Sequence, residues 1–170
     1  AHRALNAARA LHERMPVVPD NAMIEVQLSP RHSGILQYRT PHTVSQARFS
    51  LEFCVAHMLL HGRLALSDIA QDRLNDPPLV ATMARIRRVE ADDKDAELDG
   101  YAAWDQVSFV FEDGQRAESP RVTRPYGHFD NPAPNAALVE KFKSCLHSAG
   151  GDSRSILDAC LSLDNVQAQT

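Results

Sequence analysis

Residues 47–60 read ARFSLEFCVAHMLL, with no acidic or basic side chain except His57 after Glu52. Wound as a helix, this stretch is apolar around nearly its whole circumference, and such a helix must be covered on every side. That is a large demand on a chain of 170 residues. The sequence therefore predicts that a partner surface covers part of it. The polar leader TPHTVSQ supplies the start. Thr43 or Ser45 can cap, and Gln46 stands three residues after Thr43 as in a capping box. Gly62 follows as a C-cap. The expectation is one helix over residues 43–61, with no strand anywhere in residues 51–60.

The surrounding pattern is mixed. Residues 1–15 place Leu5, Ala8, Leu11 and Met15 at spacings of three and four, a helix that Pro16 stops. It starts without a cap, which reads as a piece of a longer protein. AMIEVQLSP alternates like a half-buried strand through Met23, Ile24, Val26 and Leu28. PRHSGILQYRTP reads as an irregular link between two prolines. Ser67 caps a short helix, and Asp76 caps another with Pro77 at its first position. IRRVEAD can turn into a strand, and ADDKDAELDGYAAW reads as an exposed, mobile charged loop. DQVSFVFEDGQRAESPRV is a β-hairpin, with Val107, Phe109 and Phe111 alternating before the Asp113-Gly114 turn. Asn135 caps AALVEKFKSCLHSA, Gly150-Gly151 breaks the chain, and DSRSILDACLSLDNV is a last amphipathic helix. The fold class is α+β: a small, mostly antiparallel sheet of roughly three or more strands packed by helices on one face, with flanking terminal helices.

Charge and cysteines exclude several classes. A net charge of -4, with basic residues dispersed except in RIRRVE, gives no footing for nucleic acid. No apolar run reaches the ~18 to 20 residues that span a bilayer, and no signal peptide is visible. Cys54, Cys145 and Cys160 are an odd number, widely spaced and each in a helical pattern. They read as reduced, buried thiols of a cytoplasmic protein.

Histidine is the residue type to test, because its charge changes near neutral pH. His57 and His61 lie four apart, a metal-ligand spacing without a third ligand, so packing is the better account. Residues 31–42 are more informative. They gather Arg31, His32, Tyr38, Arg39 and His42 beside the start of the buried helix, where a loop on a rigid scaffold can meet an anionic substrate. A plain polar surface loop is the competing account. Tyr126, His128 and Asp130 in RPYGHFDNP fit a turn equally well. Cys54 in an apolar setting is a poor thiolate nucleophile.

The motifs together resemble the MmgE/PrpD family. They are Ala47-Arg48-Phe49-Ser50-Leu51, then Cys54-Val55-Ala56, Gly62, Asp76-Pro77 with Val80, and Arg85-Ile86. Gly127, Asn131-Pro132 and Lys141-Phe142 follow in order. The resemblance covers nearly the whole chain. It implies enzymes such as 2-methylcitrate dehydratase, cis-aconitate decarboxylase and iminodisuccinate epimerase, built from a large helical domain and a smaller α+β lid. It implies that residues 1–134 are the lid-type domain and that residues 135–170 are helices packing on a helical domain outside this sequence. It further implies a homodimer, a small di- or tricarboxylate substrate, proton abstraction next to a carboxylate, and no metal or other cofactor. A lid tyrosine or similar polar group belongs near Tyr38, with His32 or Arg31 able to take that place. The alternative reading is a stand-alone interaction module whose apolar helix is a docking face. Roughly 260 to 300 further helical residues upstream, one or two more domains, would favour the enzyme.

Overall fold

The alternation in AMIEVQL becomes strand β1 (Ala22–Leu28), the hub of a four-stranded sheet ordered β2-β1-β3-β4. A computed structural model describes residues 1–147 and 153–162. Among them the helices are α1 (His2–Arg14), α2 (Pro30–Ile35), α3 (Val44–Arg48), α4 (Leu51–His61), α5 (Pro77–Ala84), α6 (Asn135–His147) and α7 (Ser153–Leu161). The other strands are β2 (Ile86–Glu90), β3 (Gln106–Phe111) and β4 (Arg116–Glu118). Contacts divide the chain into two units, residues 1–131 and 132–170.

In the first unit, β3 and β4 form the expected hairpin. Gly114 takes φ +81 in its turn, and the Gln115 N–H donates to Asp113 Oδ1 at 2.9 Å. β1 pairs antiparallel with β3 but parallel with β2, so the sheet is mixed. A parallel pair needs a long crossover, and here α2 to α5 supply it. Ile24 lies between Ile86 and Phe109, and Val26 is opposite Val107. All five are buried toward the helices. Met23 lies on the opposite face and is 47% exposed. On that outer face Glu25 is held by Arg87 and by Arg116, the latter at 2.6 Å.

The long helix is in fact two. Thr43 caps α3 by accepting the Gln46 N–H at 3.2 Å, while Gln46 Oε1 accepts from the His42 N–H at 2.7 Å. α3 ends at Arg48, and Phe49 is exposed. Ser50 then pairs with Gln37 in an isolated antiparallel bridge and caps α4 through the Phe53 N–H at 3.1 Å. Residues 51–60 are helical throughout. Every side chain from Leu51 to Leu59 is buried. α4 packs against α1, α3 and α5 and joins the core of β1 and β3, so the first unit covers this helix itself, without a partner. Gly62 closes it at φ +68. A Cβ there would lie 2.6 Å from the His12 ring, so the left-handed turn and the close approach both call for glycine.

Other local expectations are revised. Ser29 caps α2 inside the supposed irregular link, with Pro30 in its first turn. Ser67 sits inside a 3-10 turn, Leu66–Asp68, where Asp68 accepts the Ala65 N–H at 2.8 Å. Pro77 opens α5, but Asp76 makes no side-chain cap bond. The charged segment after β2 is exposed at residues 92–94 and 96–100 as expected, yet it is tied into the fold: Lys94 bridges Ala102, and Ala102 and Trp104 are buried. In the second unit α6 and α7 touch each other. The Pro134 carbonyl takes the cap position of α6, accepting from Leu138 at 3.2 Å, because Asn135 is already helical. Gly150-Gly151 lies outside the described residues.

Candidate functional site

Both ends of residues 31–42 are anchored. At one end the His32 N–H donates to Ser29 Oγ at 3.2 Å, and Arg88 of β2 donates to the Ser33 carbonyl at 2.8 Å. At the other, the His42 N–H donates to Gln46 Oε1 at 2.7 Å, and midway Gln37 bridges Ser50. Between them the five candidate side chains part company.

Of the two candidates in the first turn of α2, His32 lines a cleft of ≈ 350 Å³ with Arg3, Leu98, Tyr101, Arg124 and His128, whereas Arg31 is not among its lining residues. The His32 and Tyr101 rings meet edge-on, with centroids 4.9 Å apart. The Arg31 guanidinium lies 5.0 Å from the centre of the Tyr101 ring. His32 Nδ1 is buried and has no hydrogen-bond partner. Leaving such an atom unmatched costs ~1–3 kcal/mol, so it calls for a reason, and a bound ligand is one.

Behind the cleft runs an ion network. Buried Arg3 meets Asp105 at 2.9 Å and Asp95 at 4.0 Å, and donates to the Ala102 carbonyl at 2.8 Å. Arg124 binds Asp95 and Glu97, each at 2.7 Å. The Glu97 N–H and Arg124 hold the Asp95 carboxyl below its usual range. Burial pushes Asp105 up against the pull of Arg3. The cations thus come with counter-ions, but Arg3 Nε, like His32 Nδ1, is buried without a hydrogen-bond partner.

Burial, reinforced by the positive charges of the amino terminus at Ala1 and of Arg3, pushes His32 down to about 4, so it is neutral at pH 7. Burial also lowers His57. In the unfolded chain both bind a proton near 6.5, as an unperturbed histidine does. Stability is therefore complete above about pH 6.5 and falls as pH drops from there toward 4. Thermal melts at stepped pH should show this loss, and His32→Gln should flatten it. The paired comparison cancels the opposite contribution of Asp105. An unchanged slope in the variant would mean that His32 titrates alike folded and unfolded.

Arg39 and His42 line a different hollow, of ≈ 380 Å³, beside Glu52, Val80, Met83 and Ile86. Glu52 is fully engaged there. Arg88 holds it with two hydrogen bonds, at 2.8 and 2.6 Å, and Arg39 adds a looser contact at 3.6 Å. Tyr38 lines neither hollow. Its N–H reaches the Phe49 carbonyl at 3.5 Å.

His57 and His61 are accounted for by packing. His57 Nδ1 lies 2.9 Å from the Arg63 carbonyl, and its ring is 4.5 Å from that of His61. No group of three or more His, Cys, Asp or Glu among the described residues is placed to hold a metal ion. RPYGHFDNP is a turn, with Gly127 at φ +91 and its N–H on the Asn131 carbonyl at 2.8 Å, yet it delivers His128 to the cleft. Burial raises the Cys54 thiol to about 11, so it is no thiolate, whereas Cys145 and Cys160, expected to be buried, are exposed on α6 and α7.

Sequence reasoning missed Arg3, Tyr101 and Arg124. Arg3 looked like one more polar residue on an amphipathic helix, and Tyr101 like part of a solvated loop. The only signal was a tyrosine and a tryptophan, Tyr101 and Trp104, closing a run of charges.

No curated protein matches the chain. The family description MmgE/PrpD C-terminal domain matches residues 1–165, in agreement with the α+β sheet and the motif order. On that match the chain belongs to the MmgE/PrpD family and carries its C-terminal domain.

Proposed function

We propose that this chain is the C-terminal lid part of a lyase or isomerase that acts on a small di- or tricarboxylate by metal-free acid–base chemistry. A hydro-lyase of the 2-methylcitrate dehydratase kind is the favoured form. The observation that carries the reading is His32, a neutral imidazole with an unmatched buried nitrogen at a cleft that also holds Arg3 and Arg124. A neutral imidazole can take a proton from carbon or oxygen, and guanidinium groups can fix a carboxylate through charge-assisted bonds. In this reading a helical domain N-terminal to this sequence supplies the other wall and most of the acid–base groups. The intact enzyme is a cytoplasmic homodimer. The present chain alone is inactive, because a general base needs its partners within hydrogen-bond reach. The interaction-module alternative loses its motive, since the helix offered as its docking face is buried within the first unit.

The test is kinetic. Arg31→Ala, His32→Ala, Tyr38→Phe, Arg39→Ala and His42→Ala are made in the full-length enzyme and assayed on a panel of small di- and tricarboxylates. His32→Ala is expected to lower kcat/KM about tenfold or more at unchanged melting temperature, equivalent to ~1.4 kcal/mol of transition-state stabilisation. Arg39→Ala and His42→Ala, at the other hollow, should lose less. Wild-type kinetics in all five would reduce residues 31–42 to a connection.

A further inference from the structure

We infer that Tyr101 is a positioning residue that fixes the orientation of His32 at the cleft and holds Arg31 beside it. A functional histidine is usually aimed by a hydrogen bond from its second ring nitrogen to a carbonyl or carboxylate. His32 has no partner at Nδ1. What stands against its ring is the Tyr101 ring, edge-on at 4.9 Å, and aromatic pairs hold a preferred geometry of this kind. The same ring takes the Arg31 guanidinium at 5.0 Å, within cation–π range. One side chain thus contacts both members of the pair.

The backbone that carries the ring is held by hydrogen bonds. The Tyr101 N–H donates to the Leu98 carbonyl at 3.1 Å, and its carbonyl accepts the Asp95 N–H at 2.9 Å. Gly100 makes the turn at φ +77, which a side chain rarely adopts. The Asp95 carboxylate accepts the Glu97 and Leu98 N–H groups at 2.9 and 3.2 Å and binds Arg124 at 2.7 Å. A charged segment far along the chain is therefore folded into a small scaffold whose tip is Tyr101. The proposal rests on the reading of His32 as a substrate-facing group.

Ring contacts, not the phenol hydroxyl, carry the effect, so Tyr101→Phe and Tyr101→Leu separate it from general stability. In the full chain, NMR should show a nuclear Overhauser effect between the His32 and Tyr101 rings. The His32 titration should be preserved in Tyr101→Phe and move toward the ordinary histidine value in Tyr101→Leu. In the intact enzyme, Tyr101→Phe should keep wild-type kcat/KM. Tyr101→Leu should lose about tenfold, mainly in kcat, and add little to His32→Ala. A missing ring-to-ring effect in the wild type overturns the inference without any variant having to fold. So does a Tyr101→Leu protein with unaltered His32 titration and kinetics. If His32→Ala is kinetically silent while Tyr101→Leu still shifts the His32 titration, the functional reading fails and the positioning role stands.

Discussion

Replacing Glu52 with alanine is expected to destabilise the chain by about 3–5 kcal/mol, the range for breaking a buried pair by removing one partner. The Glu52 and Arg88 side chains are 3% and 7% exposed, and two hydrogen bonds join them in a fork. Without the carboxylate, the guanidinium keeps only Ser33 and stays out of water. Arg39 is 64% exposed and 3.6 Å away, so its share of the effect is small. The double change Glu52→Leu with Arg88→Met should recover most of the loss, because a matched apolar pair avoids desolvating two charges. Urea titration measures both. A loss under about 1 kcal/mol in the single variant would show that water reaches the pair.

Phe53→Ala should cost about 3–5 kcal/mol as well, by a different mechanism. Phe53 is 0% exposed, in a helix whose neighbours Val55 and Leu59 are equally enclosed. Truncation leaves a void among groups held by α1 and α5, so the site collapses poorly. The midpoint of denaturation should fall with little change in m-value, since the surface exposed on unfolding hardly alters. A loss below about 1 kcal/mol would mean that this face of α4 repacks freely or meets solvent.

What the sequence revealed follows from the range of the interactions involved. β1 and the β3–β4 hairpin were legible because alternation and an Asp-Gly turn are written in adjacent residues. The burial of Phe53, Val55, Met58 and Leu59 was legible for the same reason. The break at Ser50 was not, because its cause is a bridge to Gln37, and an apolar run with one serine reads as continuous. α2 had its signal, a serine followed by a proline, but six residues containing a glycine look like a link. The cover over α4 could not be read at all, since α1 and α5 reach it only through tertiary folding. The candidate site was half legible. His32 stood in the right segment, whereas Tyr101, Arg3 and Arg124 arrive from distant parts of the chain, and Arg39 and His42 turn to another hollow.

The position of β1 has a consequence for how the chain is made. β1 is central in the sheet but first of its four strands in sequence. Synthesis proceeds from the N-terminus, so an apolar strand emerges with both edges unpaired long before β2 and β3 exist to cover them. Bare edges of that kind recruit other chains. Glu25 sits at the middle of β1, and a charge inside such a run acts as a gatekeeper against aggregation. Once the sheet closes, Arg87 and Arg116 arrive on the two flanking sides and neutralise that same carboxylate. One glutamate thus places a charge in the middle of the bare strand and ties the finished sheet together.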